Sequence, residues 1–148
     1  MKKGYWLIGI WLLISCGSQK VSGNKEIEGI ETYTFNKDKL IQALPAERFN
    51  RVLDSLNPIV IDVREPEKYS KKRIKNAKNL NYESLNFALE ISRLNKNAKY
   101  AIYCDNGIRS RLAIQKFIDA DIKTVFVLKG GIEVFEKKFP QKIESGSD

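Results

Sequence analysis

The 148-residue chain contains no histidine. That absence removes every Ser–His and Cys–His nucleophile pair and every imidazole-dependent metal site. It has only two cysteines, Cys16 and Cys104, too far apart in the chain and in role for a thiolate zinc site, so no metal and no cofactor is expected. It also lacks an apolar run long enough to span a bilayer, the longest being Tyr5 to Ile14. Internal repeats are absent. The net charge is +8, densest at Lys68, Lys71, Lys72, Arg73, Lys75 and Lys78. No aromatic side chains interleave with those cations in the manner of a single-strand binder, so the cluster reads as a solvated surface with no nucleic-acid partner. It would still raise the local concentration of a small anionic substrate. Any reactive cysteine here must be activated by charge and backbone geometry alone.

What is present begins with an address. Met1-Lys2-Lys3 followed by the apolar stretch to Ile14 has the form of a signal-peptide core. Leu13-Ile14-Ser15-Cys16 resembles the bacterial lipoprotein box, which implies cleavage before Cys16 and a lipid on its sulfur, attaching the mature chain to a membrane. No aspartate follows Cys16, which for Gram-negative lipoproteins implies the outer membrane. The expectation is a bacterial envelope protein facing the periplasm. Its parts are a signal peptide over 1–15, a lipidated N-terminus and flexible tether over 16–38, one folded domain over 39–140, and a disordered tail over 141–148. With Cys16 held as a thioether, Cys104 is left as a lone thiol in an oxidising compartment, which points to a reactive role.

Within the domain, apolar runs and helical stripes alternate at short spacing. Leu40 to Leu44 suits a first strand, and Pro45 suits the first turn of a helix carrying Phe49, Val52, Leu53 and Leu56 at helical spacing until Asn57-Pro58 stops it. Ile59-Val60-Ile61-Asp62-Val63 is a β-branched run of the kind parallel sheets bury on both faces, and Asp62 inside it needs partners. A short helix to Ser70, a strand over 77–81, a helix capped by Ser84, and strands over 100–104 and 124–128 follow. Helices from about Ser110 to Ala120 and from Ile132 to Lys138 complete the pattern. Such alternation predicts a mostly parallel five-stranded sheet in a three-layer α/β/α fold, with ligands at the carboxyl ends of the strands.

Cys104 stands at such an end. The stretch Tyr100 to Ser110 is a buried strand, then the cysteine, a polar loop with Gly107, and Arg109 where a new helix starts. Loop amides, a helix N-terminus and a guanidinium together favour a thiolate.

Three segments resemble the rhodanese-like domain family: Ile61-Asp62-Val63-Arg64-Glu65-Pro66-Glu67-Lys68-Tyr69, the active loop Cys104-Asp105-Asn106-Gly107-Ile108-Arg109-Ser110, and Val127-Leu128-Lys129-Gly130-Gly131-Ile132. They cover roughly residues 40 to 138 in the family's order. The resemblance implies a single-domain sulfurtransferase in which Cys104 takes a sulfane sulfur from a donor such as thiosulfate or a persulfide. The enzyme carries that sulfur as a persulfide and passes it to cyanide or a thiol. Asp105, Asn106, Gly107 and Ile108 then form the loop cradle, with Arg109 and Ser110 aiding anion stabilisation. Asp62, Arg64, Gly130 and Gly131 brace the structure. The family's phosphatase relatives use five residues between cysteine and arginine, whereas Cys104 and Arg109 are separated by four. That smaller ring suits sulfur rather than phosphate.

The chain departs from the family pattern in places. Lys72 to Ala77 lacks the family's histidine, proline and glycines, and Phe135 stands near the position of its frequent tryptophan. Asp105 puts an acid beside the thiol, either as a loop cap or as a penalty on dianionic donors. These departures keep open a second expectation, a low-turnover persulfide carrier or a protein-interaction and sensing module of the same fold.

Overall fold

The computed structural model describes residues 30–33 and 38–146. The leader, Cys16 and most of the tether lie outside the described residues.

The five expected strands form the parallel part of the sheet. These are β2 (Leu40–Leu44), β3 (Ile59–Asp62), β5 (Lys78–Asn79), β6 (Lys99–Tyr103) and β7 (Thr124–Leu128). Their order is β2-β7-β6-β3-β5, and a sixth strand, β1 (Glu31–Tyr33), joins the β2 edge antiparallel. β1 falls in the stretch read as tether; its register sets Glu31 opposite Ala43 and Tyr33 opposite Ile41. The segment read as a disordered tail likewise supplies a strand. β8 (Ile143–Ser145) pairs with β4 (Lys72–Ile74) in a separate two-stranded ribbon, which Arg73 and Glu144 fasten at 2.5 Å.

Period-two alternation divides the strand side chains between two cores. On one face Ile41, Ile61, Tyr100, Ile102 and Val125 pack under α3 (Phe87–Ser92) and α4 (Ile108–Asp119). On the other face Ala101, Tyr103, Phe126 and Leu128 pack under α1 (Ala46–Leu56) and α5 (Gly131–Lys138). The layers are therefore α/β/α. Phe49 of α1 meets Phe135 of α5 edge to face, with ring centroids 5.8 Å apart.

The third helix is shorter than its sequence suggests. Asn81 Oδ1 accepts from the Glu83 N–H and Ser84 Oγ from the Asn86 N–H, so both side chains close local turns. Side chains that bond nearby amides compete with helix formation, and α3 starts only at Phe87. The second helix, α2 (Pro66–Lys71), begins with proline in its first turn and lies directly after β3, where its Lys68 reaches Asp105 of the cysteine loop.

Candidate active site

Cys104 directly follows β6 at the carboxyl end of the sheet and is fully buried. Gly107 takes φ +92° and turns the chain into α4, a helix of 12 residues. The Gly107 N–H donates to Cys104 Sγ at 3.2 Å and the Ser110 N–H at 3.5 Å, with the Ser110 hydroxyl 3.6 Å from the sulfur. These groups belong to the cap and first turn of a helix, whose unpaired N–H groups carry partial positive charge. The Ile108 N–H turns instead to Asn106 Oδ1 at 3.2 Å. Within the cradle proposed from sequence, the donors that reach the sulfur are therefore those of Gly107 and Ser110.

The loop is held from behind by the turn between β7 and α5. The Ile132 N–H donates to the Cys104 carbonyl at 2.8 Å and the Glu133 N–H to the Asp105 carbonyl at 3.3 Å. At Gly131 a Cβ would come within 2.0 Å of the Asp105 carbonyl oxygen, and φ there is +65°. Only glycine lets the two backbones approach this closely. Gly130 sits against the same loop, its N–H 3.0 Å from where a Gly107 Cβ would stand.

From the front the loop is held by charge. The carboxylate of Asp62, wholly buried, accepts from Arg64 Nε at 2.9 Å and Nη2 at 2.6 Å, and from the Arg64 backbone N–H at 2.9 Å. Arg64 Nη2 also reaches the Lys72 carbonyl at 2.5 Å, and Nη1 reaches Asp105 at 3.3 Å. Its guanidinium carbon lies 5.7 Å from the Tyr103 ring centroid. Burial works against the Arg64 charge, but the bonds to Asp62 outweigh it and push its pKa up. Burial, with Asp62 alongside, likewise pushes the Tyr103 phenol up, so both groups keep their protons.

Asp105 and Arg109 form the front rim. Asp105 accepts from Arg109 Nη2 at 2.5 Å and Lys68 Nζ at 2.8 Å. Burial alone would raise the Asp105 carboxyl, but Lys68 and Arg64 hold it below the usual carboxylate range. Arg109 Nη1 binds Glu65 at 2.5 Å and Glu83 at 3.4 Å. Burial opposes the Arg109 charge, yet Glu65, Asp105 and the Cys104 sulfur together raise its pKa. The Glu65 carboxyl is lowered, first by its own backbone N–H and then by Arg109.

The residues singled out in the sequence thus converge. Cys104, Gly107 and Ser110 meet at the sulfur, Asp62 and Arg64 brace the loop through Asp105, and Gly130 and Gly131 support it from behind. Arg109 is bonded to carboxylates. Sequence reasoning did not identify Glu65, Lys68 and Glu83 as rim residues. For Glu65 the signal was its place in the Asp-Val-Arg-Glu segment, and for Lys68 its i+3 spacing from Glu65 in α2. Beside the loop, α4 and the end of β7 enclose a cleft of about 410 Å³ lined by Ile108, Arg111, Leu112 and Lys129, with Cys104 outside it.

Fold and site together define a rhodanese-like domain, and the chain belongs to that family, whose sequence profile matches residues 45–138. Among curated proteins, the tRNA uridine(34) hydroxylase of Photorhabdus laumondii is 26% identical over 140 residues, covering 92% of this chain and 37% of that enzyme. The enzyme of the same name from Hamiltonella defensa is 29% identical over 109 residues, covering 71% and 31%. This chain therefore spans less than two-fifths of the length of these relatives. Among solved structures, a rhodanese-related protein of Thermoplasma volcanium superposes with a TM-score of 0.55 at 26% identity, covering 65% of this chain and 91% of that one. The rhodanese-like domain of an Anabaena protein gives 0.59 at 22% identity, covering 72% and 86%, a likeness of fold.

The relatives correct one expectation. A lipid-anchored envelope protein facing the periplasm does not fit relatives named for acting on a tRNA base. The Photorhabdus match takes in 92% of the chain, so it extends through much of the stretch read as leader and tether. No described helix is long and apolar enough to cross a membrane.

Proposed function

We propose that the domain is a sulfurtransferase whose Cys104 carries sulfane sulfur as a persulfide. The observation that supports this is the buried Sγ receiving N–H donors at 3.2 and 3.5 Å from the cap and first turn of α4. In the first half-reaction the thiolate attacks the outer sulfur of a donor. With thiosulfate, the sulfur–sulfur bond breaks, sulfite leaves with the bonding pair, and Cys104–S–S⁻ remains. In the second, cyanide or a thiolate takes the outer sulfur, and the pair of the new S–S bond returns to Cys104. The amides of Gly107 and Ser110 need no reorganisation to face the developing anion, which is where preorganised donors act most strongly. The four-residue interval between Cys104 and Arg109 keeps the ring small, as suits one sulfur rather than a phosphoryl group. Incubation with thiosulfate or a persulfide donor should add one sulfur to the mass of Cys104, and cyanide should then discharge it as thiocyanate. Absence of both with every donor defeats the proposal.

A second reading is favoured by the names of the relatives: Cys104 serving, as one module, a reaction on uridine 34 of tRNA. It would replace the expectation that no nucleic acid is bound. Nucleoside analysis of tRNA incubated with the protein distinguishes the two. Hydroxylation of uridine 34 that Cys104→Ser abolishes would establish the second reading.

A further inference from the structure

We propose that the mouth of this site selects sulfane donors bearing one negative charge or none over dianionic thiosulfate, with Asp105 and Glu65 as the selecting groups. The inference rests on the sulfur-transfer reading and concerns its substrate class.

The charges around the loop are already matched. Arg64 is bonded to Asp62 and Asp105, Lys68 to Asp105 and, at 3.7 Å, to Glu65, and Arg109 to Asp105, Glu65 and Glu83. Three cations therefore stand against four carboxylates on this side of the loop, and each cation is engaged. Glu65 Oε2 is shielded from solvent and has no hydrogen-bond donor. The Lys68 ammonium faces that oxygen from 3.7 Å, so its charge is met by a cation that is already shared with Asp105.

Cys104 is wholly buried, and this rim, carried by the adjacent Asp105 and by Arg109 of the same loop, is the approach to Sγ that the proposal takes. A dianion that bonds to Arg109 must displace Glu65 or Asp105, and then shares the mouth with the carboxylate it displaced. A donor with one charge fewer meets about half that repulsion. One unit of charge a few ångströms from a carboxylate changes a rate by on the order of tenfold. Both donor classes use the same balanced step. Thiosulfate gives sulfite and the Cys104 persulfide, whereas methanethiosulfonate, a monoanion, gives methanesulfinate and the same persulfide.

The test uses the full chain and second-order rates of persulfide formation with thiosulfate and with methanethiosulfonate. The quantity read is the ratio of the two rates, which cancels general effects of a variant on the cysteine. Asp105→Asn should raise the thiosulfate-to-methanethiosulfonate ratio about tenfold. Glu65→Gln should raise it by a smaller factor, and Asp105→Glu should hold it at the wild-type value. If Asp105→Asn does not fold, the Glu65→Gln ratio decides. Ratios within twofold of wild type in the neutralised variants overturn the selection while leaving sulfur transfer standing. No persulfide in the wild type with either donor overturns sulfur transfer, and this inference falls with it.

Discussion

On one side of the Cys104 loop the neighbours are charged side chains; on the other they are backbone. The front rim is built from Arg64, Lys68 and Arg109 against Asp62, Glu65 and Asp105. The rear support is the turn at Gly130 and Gly131, joined to the loop by two amide-to-carbonyl bonds. The rear sets the position of the main chain and hence of the two N–H groups that face the sulfur. The front sets what can approach it. A substitution at the rear should therefore disturb the cradle for every donor, and one at the exposed front should sort donors by charge.

The deepest part of the front is the exception, because there charge also holds the fold. Arg64→Ala would leave the Asp62 carboxylate fully buried without its bidentate partner. Removing one member of a buried pair costs about 3 to 5 kcal/mol. Denaturant unfolding should show a loss of that size, and Arg64→Lys should recover only part of it, because an ammonium cannot reproduce the two-pronged bond. A loss below about 1 kcal/mol would mean that Asp62 is held by other groups.

Next in size is the rear. Gly131→Ala places a methyl group 2.0 Å from the Asp105 carbonyl at φ +65°. The strain costs about 2 to 3 kcal/mol, and the loop must move to relieve it. Persulfide formation should fall with thiosulfate and methanethiosulfonate alike, leaving their ratio unchanged. A changed ratio would show that the two sides of the loop do not divide the work as described.

Much of this was legible in the sequence because it is written in local patterns. The β-branched run at 59–63 and the apolar runs at 100–104 and 124–128 fixed the parallel strands, and the spacing from Cys104 to Arg109 located the loop. What was not legible depends on distant partners. β1 and β8 are three residues each, and they exist because β2 and β4 offer unpaired edges. Arg109 reads as a free charge in the chain because its partner Glu65 lies 44 residues earlier, beyond three strands and two helices. Asp105 left two readings open in the sequence. In the structure its side chain ties Arg64, Lys68 and Arg109 together, a cap built from contacts that no local pattern records.

Acid should loosen the front before the rear. The carboxyls of Asp105 and Glu65 both have folded pKa values below their ordinary ones. For groups shifted in that direction, the stabilisation is fully present above the ordinary carboxylate value near pH 4 and is lost as pH falls through the lowered folded values. The unfolding free energy measured as a function of pH should decline below about pH 4, and Asp105→Asn should flatten that decline. An unaltered slope in the variant would place the acid sensitivity elsewhere.

The smallest effect belongs to an ion pair that resembles those of the rim only in name. Lys138 of α5 binds Glu47 of α1, and both side chains are about half exposed. Solvent screens such a pair, and ordering two long side chains offsets most of what remains. Lys138→Ala should leave the unfolding midpoint and the donor ratio where they are, at low and high salt alike. A clear loss would mean that exposed pairs contribute to this fold as the buried Arg64–Asp62 pair does. The contrast between the two would then have to rest on geometry rather than on burial.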